Sequence, residues 1–109
     1  MTREDMKKFV EGQVKWYKEQ IDWDNKMLEY ANKDIKRIRE EDKRVVEYAW
    51  SRGVVTKYEY VLFVKDFESV DMKKAKKERA RYYVRRKKDI INLKHYEIEL
   101  KKYANVQEG

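Results

Sequence analysis

Alternating steps of three and four residues govern most of the first half of this chain. They pick out Val14, Tyr17, Ile21, Asp24, Leu28, Ala31, Ile35, Ile38, Asp42, Val45 and Ala49, and nine of these eleven residues are apolar. Such steps return to one side of an α-helix, whereas on a strand they would scatter over both faces. The repeat therefore predicts a long helix with a coiled-coil-like seam, and a seam needs a second helix to cover it. The 109 residues include three Gly and no Pro, so little interrupts the pattern before Ser51, Arg52 and Gly53. Asn32 is suited to a break, but the repeat keeps its phase across it. One helix over about 3–50 is expected, capped by Thr2 with Glu4 and Asp5 in its first turn.

The connector, about 54–68, is rich in residues that strands favour: Val54, Val55, Tyr58, Tyr60, Val61, Phe63 and Val64. A strand there would leave its ladder groups without a partner inside the chain. Thr56 and Glu59 have capping-box spacing, so a short helix is the expectation, and Ser69 or Asp71 would cap the last helix, about 71–104. The later half of that helix offers Tyr83, Val84, Ile90, Ile91, Leu93, Ile98 and Leu100 as a broad apolar face. A short connector forces it to return antiparallel to the first helix. The expected fold is all-α: a single domain over 1–109, built as a long antiparallel helical hairpin with a short third helix at the tip. Asp42 interrupts the first seam and Arg79 or Arg86 interrupts the returning face, so Asp42 is expected to pair with one of those arginines.

Charge is unevenly placed. Met72 to Lys88 holds ten cations against one acid, Glu78, while the net charge of the whole chain is only +7, leaving the remainder slightly acidic. Asp34, Glu40, Glu41 and Asp42 can neutralise part of this run, but Lys33, Lys36, Arg37, Arg39, Lys43 and Arg44 stand among them. An excess of positive charge remains, and phosphates are its natural complement. The residues expected to engage nucleic acid or an acidic partner are Lys73, Lys74, Lys77, Arg81, Tyr82, Arg85, Arg86 and Lys88, with an aromatic among the cations to stack on unpaired bases.

The first helix has a second apolar row. Phe9, Trp16, Trp23, Met27 and Tyr30 lie across the helix from Val14, Ile21 and Leu28. Trp, Tyr and Met are favoured interface anchors, so this row is the expected protein interface, with a second copy of the chain as the leading occupant.

Other classes find little footing. His95 is the lone histidine, there is no Cys, and no Ser has an evident base partner. Asp22 and Asp24 point to different sides of a helix, so neither paired-carboxylate chemistry nor a metal site forms from them, and no cofactor or small-molecule substrate is expected. Ala49, Gly53 and Val54 have the spacing of a helix-turn-helix, but Glu59 falls where that motif buries an apolar residue. The longest apolar run, Tyr60 to Val64, is too short for a signal or a membrane span, so a cytoplasmic location is expected. In composition alone, small, lysine-rich, Cys-free chains like this one resemble accessory or host-directed proteins of phages and mobile elements. That resemblance implies the second expectation for function, a protein that binds and inhibits a host enzyme, such as one within a nucleic-acid-handling complex. The first expectation is a non-enzymatic binder of nucleic acid through the basic helix.

Overall fold

The computed structural model describes residues 2–108, with side chains as far as Ala104. Among them the chain is all-α, in three helices: α1 (Arg3–Ser51), α2 (Lys57–Asp66) and α3 (Val70–Glu108). No helix is long and apolar enough to cross a membrane.

Each helix boundary has a local cause. At the start of α1 the Asp5 amide donates to Thr2 Oγ1 at 3.1 Å and the Thr2 amide donates to Asp5 Oδ2 at 3.2 Å, a reciprocal cap. The helix passes through Asn32 and ends where Gly53 takes φ +72°, a left-handed conformation that a side chain would disfavour. There the Val54 amide donates to the Ala49 carbonyl and the Gly53 amide to the Trp50 carbonyl, the paired bonds of a Schellman ending. Helix α2 starts on the Thr56–Glu59 capping box, both bonds of which form. Ser69 is the residue that caps α3, accepting from the Met72 amide at 3.1 Å.

The chain divides into two compact units, one of Glu29–Ala80 and one of the residues up to Leu28 with those from Arg81 onward. In the Glu29–Ala80 unit, Ile35, Ile38 and Met72 form a buried cluster against Ala75. Arg79 donates to Asn32 at 3.2 Å and the Ser69 amide to Asp42 at 3.2 Å, so rising numbers on α1 meet falling numbers on α3 and the two segments run antiparallel here. Trp50 stacks on Tyr60 of α2 with ring centroids 5.1 Å apart.

In the other unit Val10, Val14 and Leu28 are buried, Tyr17 stacks on Tyr96 at 5.8 Å, and Arg3 donates to the Tyr103 carbonyl at 3.1 Å. With Asn25 bonded to Arg86, the order of partners is again antiparallel.

Three packing expectations are corrected. Val45 is 56% exposed and Val46 takes its place, 4% exposed, because an α-helix drifts about 20° per heptad and a stripe held over several heptads must slip by one residue. On α3, Tyr83, Val84, Ile91 and Ile98 are all exposed. Neighbouring residues stand about 100° apart on a helix, so a face that includes Ile90 and Leu93 cannot also include Ile91. The inward row instead runs through Tyr82, Arg86, Asp89, Leu93, Tyr96 and Leu100, two of them charged. Finally, Asp42 meets neither Arg79 nor Arg86. It is buried and accepts from the Ser69 backbone amide, tying α1 to the residue that caps α3.

That last bond makes a prediction. Asp42→Ala strands a part-buried amide, which costs about 1–3 kcal/mol. A cleft of about 590 Å³ bordered by Asp42, Val46, Phe63 and Met72 lets water reach the site, so a value near the low end is expected. Urea unfolding should show a lower midpoint for Asp42→Ala and a smaller loss for Asp42→Asn, which keeps an acceptor. Equal midpoints for Asp42→Ala and the parent would remove this role.

Candidate nucleic-acid interface

The basic stretch separates into cations that serve the fold and cations that face water. In the Glu29–Ala80 unit Lys76 pairs with Glu68 and Arg79 is bonded to Asn32. Lys73, Lys74 and Lys77 of the same unit are exposed, and no described carboxylate pairs with them.

In the other unit Arg81, Lys87 and Lys88 are likewise exposed and have no described acidic partner. Arg85 and Arg86 behave differently. Arg85 donates to Gln20 Oε1 at 3.0 Å and places its Nε 3.2 Å from Asp24 Oδ1. Arg86 is half-buried, donates to Asn25 Oδ1 at 2.9 Å, and lies over the Tyr83 ring at 5.3 Å. These two arginines were expected at the interface, but much of their hydrogen-bonding capacity is spent inside the unit. The aromatic pair is also exchanged: Tyr82 is half-buried on the inward row, and Tyr83 is the ring on the surface.

Arg85 turns inward because Asp24 is wholly enclosed, with no exposed surface, and Asp89 beside it is 9% exposed. Burying a carboxylate without a partner is costly. Burial pushes the Asp24 carboxyl up to about 6; the neighbouring Asp89 carboxyl adds to this, and Arg85 and Arg86 oppose it. No hydrogen bond reaches either Asp24 oxygen or Oδ2 of Asp89, so two buried carboxyl groups stand together with the Arg85 Nε, 3.2 Å from Asp24 Oδ1, as the nearest described cation. Sequence spacing gave no sign of this pair, since its members are 65 residues apart, Asp24 reads as an isolated flaw in an apolar seam and no pattern marks Asp89. Among the described residues, no three His, Cys, Asp or Glu side chains gather as a metal site.

The aromatic row expected as an interface is accessible. Phe9, Trp16 and Trp23 are each about half exposed and Met27 is partly covered in the unit that contains them, while Tyr30, in the Glu29–Ala80 unit, is 61% exposed. Trp16 packs edge-on against Tyr17 at 4.9 Å, which orients its ring without covering it.

Compared with protein-family models, curated proteins and solved structures, the chain matches none. Its function must therefore be read from its own residues.

Proposed function

We propose that the chain is a helical hairpin, α1 paired with α3, that acts as a non-enzymatic binder of nucleic acid through the basic stretch of α3. The antiparallel order of contacts within each unit supports the hairpin. One observation carries the binding reading: Lys73, Lys74, Lys77, Arg81, Lys87 and Lys88 are all exposed and lack a described acidic partner. Six uncompensated cations within sixteen consecutive residues repel one another, and the arrangement gains most from a polyanion whose condensed counterions are released on binding. The basic stretch itself exposes only Val70, Ala80, Tyr83 and Val84 as apolar residues, short of the wide apolar face that a membrane surface takes up.

Titration of labelled single-stranded and duplex DNA and RNA across a salt series tests this. Each phosphate contact contributes about −0.7 (single strand) to −0.9 (duplex) to the slope of log affinity on log salt, so six contacts give a slope of roughly −4 to −5. A salt-independent affinity, or capture of a protein that survives nuclease with no binding of the bare polymer, would replace this reading with that of a protein-interaction module or enzyme inhibitor.

A further inference from the structure

We infer that the unit formed by the residues up to Leu28 and from Arg81 onward binds single-stranded nucleic acid on one particular face, with unpaired bases stacked on Trp16 and Trp23 and phosphates held by Arg81 and Lys88. The inference rests on the nucleic-acid reading above and assigns it a substrate class and a second set of residues.

The geometry joins two rows that look unrelated in the sequence. Trp16, Gln20 and Trp23 follow at steps of four and three, so they share one side of α1. Arg81, Arg85 and Lys88 have the same steps and share one side of α3. The hydrogen bond from Arg85 to Gln20, 3.0 Å long, puts the two rows on one face of the paired helices, and the Asn25–Arg86 and Tyr17–Tyr96 contacts set Lys88 level with Trp23. A chain of ring contacts makes the same link further along: Trp16 to Tyr17 at 4.9 Å, Tyr17 to Tyr96 at 5.8 Å and Tyr96 to His95 at 5.1 Å. His95, seven residues beyond Lys88, thus extends the α3 row to the level of Trp16.

Trp16 is 49% exposed and Trp23 is 51% exposed, so each offers ring surface to a ligand. Seven residues of helix separate them by about 10 Å, which is about three base steps of a stacked strand. Base stacking on an aromatic ring tolerates any sequence but needs an uncovered base face, which a duplex hides within its own stack. A single strand matches both rows, with its bases on the indoles and its phosphates beside the cations. A second copy of this chain suits the face less well, because a two-fold contact would bring Arg81 and Lys88 of both copies together. Glu99, further along the same side of α3, does not offset them, since it is paired with Lys102 at 2.9 Å.

The test uses the whole chain with Trp50→Phe, so that emission comes from Trp16 and Trp23, titrated with a thymine oligonucleotide of about 12 nucleotides and with a duplex of equal length. The expected result is quenching by the single strand, tighter binding of it than of the duplex, and a loss of about tenfold or more in affinity for each of Trp16→Leu and Trp23→Leu. Leucine keeps an apolar side chain and removes only the stacking face, and circular dichroism confirms the fold. Salt-sensitive binding of single strand and duplex alike, without quenching and unaffected by the leucine variants, overturns this inference and leaves the basic stretch as the binding element. Absence of nucleic-acid binding at every salt concentration overturns both. A dimeric parent that Trp16→Leu with Trp23→Leu renders monomeric, at unchanged nucleic-acid affinity, assigns the face to a second copy and overturns it as well.

Discussion

Glutamate at Lys73, Lys74, Lys77, Arg81 and Lys88 together is expected to lower nucleic-acid affinity by about a thousandfold or more at moderate salt, since proteins with 6–10 phosphate contacts lose about 10³–10⁵ merely between 50 and 200 mM salt. All five side chains are exposed, so the substitution removes no packing. Glutamate also has nearly the helix propensity of lysine and arginine. Lys77 and Arg81 already stand four apart as like charges, and reversing both only changes the sign of that repulsion. New like-charge neighbours arise where Lys74→Glu faces the native Asp71 and Glu78 and where Arg81→Glu faces Glu78, each worth a few tenths of a kcal/mol. Against them, Arg81→Glu and Lys88→Glu each replace a repulsion of Arg85 by an attraction. Helical circular dichroism should therefore persist while binding is lost, and the corresponding glutamine variant should fall between the two. Binding within threefold of the parent would sink the idea that these cations meet phosphates. Arg85 and Arg86 are left out deliberately: glutamate there would set a third negative charge beside Asp24 and Asp89, and a loss of binding would then report unfolding.

That distinction among the arginines was not legible in the sequence, and the reason is physical. Steps of three and four announce which residues lie on one side of a helix, so the long α1, the Thr56–Glu59 box and the Gly53 ending could all be read from local rules, each of which needs only residues within about a turn of one another. A polar residue in a seam is a different matter. Asp24 and Asp42 interrupt the same repeat in the same way, yet one turns to a second carboxyl and an arginine and the other to a backbone amide. The partner is supplied by α3, and its register against α1 is set by the packing of both helices together. The same limit explains Val45 and Val46, since a one-residue slip accumulates from the helix geometry rather than from any single residue. It also explains Tyr82 and Tyr83: adjacent aromatics are equivalent on a list, and only the partner helix decides which ring turns inward. The exposure of the Trp row was readable in outline from its angle to the seam. That Arg85 joins it to a cationic row was not, because Gln20 lies 65 residues from Arg85.

Asp24→Asn is expected to make the protein more stable at neutral pH, by up to about 3 kcal/mol, and to leave it no more stable than the parent near pH 4. The Asp24 carboxyl titrates at about 6 in the folded chain, against an ordinary value of 3.8, chiefly because it is buried and then because Asp89 faces it. A raised carboxyl pKa means that the folded state holds its proton more tightly than the unfolded chain does. Between pH 4 and 6 the folded state thus binds more protons, so this group's contribution to stability falls as pH rises through that window and remains low above it. About two pKa units, at 1.36 kcal/mol each, set the upper limit. Asparagine carries no proton to lose, and its amide can donate to the Asp89 oxygen that lacks a donor. The lost ion pair subtracts little, because the Arg85 side chain is 51% exposed and keeps its bond to Gln20. Glu59 and Glu99, whose carboxyls are held below their ordinary value by Thr56 and Lys102 respectively, give both proteins the same opposing slope at lower pH, so it cancels in the difference. Urea midpoints for parent and variant, taken at intervals from pH 4 to pH 7, should separate progressively from pH 4 to 6 and then run parallel. A separation that is constant across the range would show that Asp24 carries no extra proton in the folded protein and would dissolve the carboxyl pair as described.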